Sequence, residues 1–130
     1  MLTRRFVLAV FYALLVTAVV SPPVTHAGGP LTRADRLTFN SVVALPGRVI
    51  LAPGTYMFEA GMLGLHPDIV RVTSTDYQKV FYQGFTVRVV RPAGLGPKEA
   101  IALAEAPVGA PVPIAAWYPL DSNIGHQFRY

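Results

Sequence analysis

The sequence predicts an all-β protein, a small antiparallel β-sandwich or barrel-like domain behind an N-terminal signal helix. Short segments rich in Val, Ile, Thr and aromatic residues recur along the chain. Gly and Pro, 11 and 12 of the 130 residues, break them up, with turn signals about every 8–12 residues, the spacing of sandwich strands. Past the leader no stretch carries the 3.6-residue apolar period of an amphipathic helix. This length predicts one domain.

Met1-Leu-Thr-Arg-Arg5 is basic, Phe6 to Val20 runs 15 residues without a charge, and Ser21-Pro-Pro23 breaks any helix. Thr25-His-Ala27 places small residues at the first and third positions, so residues 1–27 read as a secretory signal peptide cut after Ala27. A membrane anchor needs roughly 20 apolar residues, more than this run supplies. Thr3-Arg-Arg-Phe-Val-Leu8 also has the look of a twin-arginine export motif. The strongly apolar segment after it favours the general secretory route.

Residues 28–36 are polar, with Gly and Pro, and read as a flexible lead-in to a single β domain over 37–130. Leu37 to Val43 is the first predicted strand, Leu45-Pro-Gly47 turns the chain, and Arg48 to Leu51 is a short extended piece. Pro53-Gly54 is a second turn, proline setting its first corner and glycine supplying a positive φ. Strand Thr55 to Ala60 then puts Tyr56 and Phe58 on one face and Thr55, Met57 and Glu59 on the other. Gly61 to Pro67 reads as loop, and Asp68–Thr73 with Lys79–Tyr82 as a hairpin about Ser74 to Gln78. Phe85 to Val90 alternates most cleanly and reads as one strand. Ala100 to Glu105 is expected as strand rather than helix, because the proline-rich 106–113 leaves a helix no room. Ile114–Tyr118 and Gln127–Tyr130 close the domain.

Arg4 and Arg5 belong to the leader, so residues 28–130 carry nine Lys and Arg against seven Asp and Glu, a formal charge of +2. These charges are scattered along the chain, which argues against a nucleic-acid partner. The absence of cysteine excludes disulfides, thiolate chemistry and a cysteine-linked lipid. The fold must rest on its core, and a chain of this size buries roughly 65% of its unfolded surface.

Leu37-Thr-Phe, Leu45-Pro-Gly, Leu51-Ala-Pro-Gly-Thr-Tyr-Met-Phe-Glu, Ile69-Val-Arg-Val, Trp117-Tyr-Pro and Gly125-His-Gln-Phe-Arg-Tyr130 lie in order along the chain. In these segments the chain resembles a group of short exported bacterial proteins of unassigned function. The resemblance implies an exported β domain and brings no catalytic residues with it. The Pro-Gly-Thr-Tyr turn alone is similar to turns of transthyretin-like and carbohydrate-binding-like sandwiches.

Candidate chemistry is sparse. His66-Pro-Asp68 is the one close His/Asp pairing and reads as a solvated turn, and Asp121-Ser-Asn123 as an Asx-type turn without the carboxylates a calcium loop needs. His126 has no ligand partner in sequence, so no metal or cofactor is expected. Ser41, Ser74 and Ser122 lie in no Gly-x-Ser-x-Gly elbow, and Gly94-Leu-Gly96 lacks the lysine and hydroxyl of a phosphate loop. No catalytic residue is assigned. Trp117, Tyr118 and Tyr82 are the candidate binding residues, as an exposed platform for a sugar or peptide. The competing reading places Trp117, Phe39, Phe58, Phe85 and Phe128 in the core. If residues 117–118 are strand, Trp117 and Tyr118 face opposite ways. A C-terminal Phe128-x-Tyr130 suggests an outer-membrane barrel, but such strands need about 9–11 unbroken residues.

The expected function is therefore an exported, envelope-associated structural or interaction module. It would act in the periplasm or outside the cell, with an envelope or extracellular partner and no stable membrane span after processing. A carbohydrate- or peptide-binding module using exposed aromatics is the alternative.

Overall fold

A computed structural model describes residues 16–19, 33–61 and 66–130, and all of its regular structure is β. One sheet has the order β1 (Val16–Val19), β2 (Arg33–Phe39), β5 (Gly54–Ala60), β6 (Ile69–Thr73), β7 (Val80–Phe85), every neighbour antiparallel. The other runs β4 (Val49–Leu51), β3 (Val43–Leu45), β10 (Val112–Trp117), β11 (Ile124–Gln127), β8 (Val87–Val90), with β9 (Ile101–Leu103) also on β10. Its one parallel pairing joins β3 to the start of β10. Among the described residues no helix is long and apolar enough to cross a membrane.

The two sheets share one core, in which Phe39, Phe58, Leu37, Val70 and Val72 of the first meet Leu45, Leu51, Ile114 and Trp117 of the second. Tilted and edge-on ring pairs run through it: Phe39 with Phe58 at 6.0 Å, Phe58 with Trp117 at 5.9 Å and Tyr56 with Phe81 at 5.2 Å. These are the offset geometries that aromatic quadrupoles favour. As expected, Tyr56 and Phe58 face inward from β5. On the opposite face of β5, Met57 and Glu59 are buried as well. Burial raises the Glu59 carboxyl above its ordinary value, and the Arg71 guanidinium, 3.3 Å away, offsets part of that rise.

Several boundaries depart from the sequence expectation. Of the segment read as a signal helix, residues 16–19 are an extended strand; the remainder, with the cleavage site after Ala27, lies outside the described residues. β2 starts at Arg33, so residues 33–36 are strand rather than lead-in. Seven residue pairs with β5 outweigh their polar composition. Gly54 takes no positive φ; it opens β5 opposite Phe39, and the left-handed glycine of this region is Gly47, in the β3–β4 turn. The stretch 85–90 is two strands. The chain leaves the first sheet after Phe85 and enters the second at Val87, so Phe85, 59% exposed, is not a core residue. Residues 101–103 are strand, as expected. The last strand is 124–127 rather than 127–130.

Candidate functional site

Trp117, His126 and Arg88 form a cross-strand row from the centre of the second sheet to its edge, because Trp117 pairs with His126 in β10–β11 and His126 with Arg88 in β11–β8. The row begins in the core, where the Trp117 indole has no exposure. The His126 ring stacks on it, centroids 5.3 Å apart and planes 23° from parallel. It ends in solvent, with the Arg88 side chain half exposed. Beside it opens a cleft of about 130 Å³, to which β2 contributes Arg33, β8 Arg88, β11 Ile124 and His126, and the β10–β11 connection Ser122.

Thr86, where the chain changes sheets, orients the histidine. Its backbone N–H and its hydroxyl both donate to the Asp68 carbonyl at 2.8 Å. With that proton committed, Oγ1 is left as an acceptor for the His126 Nδ1–H at 3.1 Å. The tautomer follows: Nδ1 carries the hydrogen and Nε2 keeps its lone pair, with no partner among the described residues. Burial holds the imidazole below its ordinary value of 6.5; the Asp68 charge opposes that shift and Arg88 adds to it. At neutral pH the ring is an uncharged acceptor. Arg88 closes the loop by donating from Nη2 and Nε to Asp68 Oδ1, at 2.9 and 3.2 Å.

The other side of Trp117 is sealed. Its Nε1–H donates to Asp35 Oδ2 at 3.0 Å, and the Leu120 N–H donates to the same oxygen at 3.1 Å. Burial raises the Asp35 carboxyl above its ordinary value; the two hydrogen bonds and the Arg91 charge pull the other way. Asp35 thus ties β2 to the end of β10 across the core.

The three residues expected as a binding platform do not form one. Trp117 is fully buried and Tyr118 is 5% exposed. The two do point to opposite faces: Tyr118 lies across Gly125, where a Cβ would collide with its ring, and Arg91 covers it at 5.5 Å. Arg91 donates to the carbonyls of Gly96, Glu99, Tyr118, Pro119 and Ser122, pinning the loops around this outer pocket. Tyr82 packs edge-on against Phe128 at 5.7 Å and leans over Gly84. An alternating pattern signals which face a ring takes, but not whether that face is covered by a loop. Here it is.

The remaining candidates are local. His66 Nδ1 accepts from the Asp68 N–H at 3.1 Å while its ring rests on Phe85, an ordinary turn contact. The 121–123 turn is stitched by Ser122 rather than by Asp121, since the Ser122 hydroxyl donates to the Ile124 carbonyl and accepts its N–H. Neither Thr86 nor Ser122 is therefore set up as an activated nucleophile toward His126. Among the described residues no group of three His, Asp or Glu could hold a metal. The sequence offers His126 as a metal ligand or as part of an enzyme pocket with carboxylates, and carries no local signal for Asp35, Thr86, Arg88 or Arg91. The segments holding Trp117 and His126 were singled out, but as a resemblance.

No known protein family matches the chain, and no curated protein or solved structure matches it.

Proposed function

We propose that the protein is an exported binding module of the cell envelope, acting in the periplasm or outside the cell, whose cleft beside His126 receives a carboxylate-bearing end group of a larger ligand. The observation that carries this reading is the unshared Nε2 of a neutral, oriented His126 beside the half-exposed guanidinium of Arg88. An acceptor next to a fixed cation suits a carboxylate with a hydroxyl or N–H beside it, as in a sugar acid or a peptide terminus. The volume agrees, being below the roughly 300–1,000 Å³ of a pocket that swallows a whole small molecule. Trp117 backs the His126 ring from the core rather than serving as a stacking surface for the ligand. The basic and apolar leader and the small residues before Gly28 support export, as does the resemblance to short exported bacterial proteins.

Trp117 is the only tryptophan and touches His126, so its fluorescence reports on the cleft. Titration with glucuronate and with a short peptide carrying a free C-terminus is expected to shift that emission saturably, and amidating the peptide to abolish its effect. His126→Gln and Arg88→Gln are each expected to remove the response. A flat titration with both probes, or an unchanged response in both variants, would overturn the reading. Export is tested separately by the mass of the protein recovered from the envelope, which should begin at Gly28.

A further inference from the structure

The first sheet ends on a strand that belongs to the leader. Val16–Val19 pair antiparallel with β2, Val16 opposite Phe39 and Val19 opposite Arg36. The opposite edge of β2 is committed to β5 along all seven of its residues. Cutting the chain after Ala27 takes β1 away and uncovers the hydrogen-bonding edge of Arg36–Phe39. An uncovered edge is a ready template for another strand.

We propose that β2 is a strand-acceptor edge. In the unprocessed chain Val16–Val19 fill it; after processing it takes an extended, uncharged segment of an exported partner, added antiparallel. The proposal rests on the export reading for the removal of residues 1–27, and is independent of the cleft. The occupant's chemistry is that of the segment seated there, Val-Thr-Ala-Val, which has no charge and is rich in β-branched residues. The slot is also short. β1 pairs with Arg36 to Phe39 of β2, of which Leu37, Thr38 and Phe39 are uncharged, while Arg33, Asp35 and Arg36 put charge at the start of the strand. Charge along an edge opposes indiscriminate pairing, so the uncharged end alone invites a strand. Leu37 and Phe39 are already packed inside the core, so the edge is held rigid. A rigid edge spares an added strand the ordering of both partners.

The test uses the full chain. Ala18→Pro breaks β1 at its middle and should expose those of the Arg36–Phe39 amides that point to β1 rather than to β5, which in the unaltered chain should be slow to exchange with deuterium. A synthetic peptide of residues 14–21 should restore their protection saturably in the variant, with at least a tenfold slowing of exchange. The same peptide with lysines in place of Thr17 and Ala18 should not. Amides as protected in the Ala18→Pro variant as in the parent, or no rescue by the peptide, would overturn the proposal. Protection that returns on raising protein concentration without peptide would overturn it in favour of a second copy of the chain. Recovery of exported protein that retains residues 1–27 would instead overturn cleavage after Ala27, and is distinguishable because the peptide rescue does not depend on processing.

Discussion

Asp35 and His126 lie against the same indole and are almost equally buried, yet they are built for opposite ends. Asp35 takes the Trp117 N–H and the Leu120 N–H on one oxygen, and the result is a closed tie between β2 and the β10–β11 connection. His126, which lines the cleft, meets the ring face, gives its Nδ1–H to Thr86 and keeps Nε2 unshared among the described residues. A buried polar group whose hydrogen-bonding capacity is used up locks packing; one with a spare atom beside an opening can meet a ligand.

Deleting what the two share should have the largest effect. Trp117→Ala is expected to lose about 3–5 kcal/mol of stability by urea unfolding, since it opens a core cavity and strands Asp35. A loss below about 1 kcal/mol would mean that neither side depends on the ring. On the sealed side, Asp35→Ala is expected to lose about 2–4 kcal/mol, because it leaves two buried donors unpaired. Asp35→Asn keeps an acceptor without a buried charge and is expected to stay within about 1 kcal/mol of the parent at neutral pH. If Asn proves as damaging as Ala, the charge matters rather than the hydrogen bonds.

Titration separates the pair by sign. The His126 imidazole sits below its ordinary 6.5 in the fold, so as pH falls past that value the unfolded chain takes a proton the folded chain refuses. Stability should therefore fall toward acid, by at most about 1.4 kcal/mol per pH unit for one proton. Asp35 and Glu59 sit above their ordinary 3.8 and 4.5. For them the folded chain keeps protons that the unfolded chain has released, so stability is present at low pH and declines as pH rises through their folded values. The carboxyls act upward from 3.8 and 4.5 and the imidazole downward from 6.5, so the two slopes oppose each other in that interval and the melting temperature should dip to a minimum there. His126→Gln should remove the decline just below 6.5, and Asp35→Asn should lessen the decline on the other side.

The smallest effects belong to the open side. Thr86→Val is expected to cost about 1 kcal/mol and to free the imidazole to populate both tautomers, visible in its ¹⁵N shifts. Arg88→Gln breaks an exposed ion pair and should change stability by about 0–1 kcal/mol while removing the fluorescence response. A larger stability loss there would place Arg88 with Asp35, as structure rather than site.

Local composition made the strand Thr55 to Ala60, with Tyr56 and Phe58 inward, legible before any coordinates, as it did the strand over 101–103 and the proline and glycine turn at Leu45 to Gly47. These follow from the period of a pleated strand and from the backbone limits of two residue types. The alternation of Phe85 to Val90 was equally plain and misled, because it continues unbroken while the chain passes from one sheet to the other at Thr86. The site was illegible for a related reason. Asp35 stands 82 residues from the indole it accepts from, and Thr86 stands 40 from His126.

By itself the sequence determined an all-β chain without cysteine, the turn at Leu45 to Gly47, and the inward face of Tyr56 and Phe58. Tertiary structure alone decided that Trp117 and Tyr118 are both covered, that Phe85 is not, and that His126 and Arg88 line one cleft. Alternation states which face of a strand a side chain takes. What stands opposite that face is set by long-range pairing and by loops that return over it, and neither leaves a local mark.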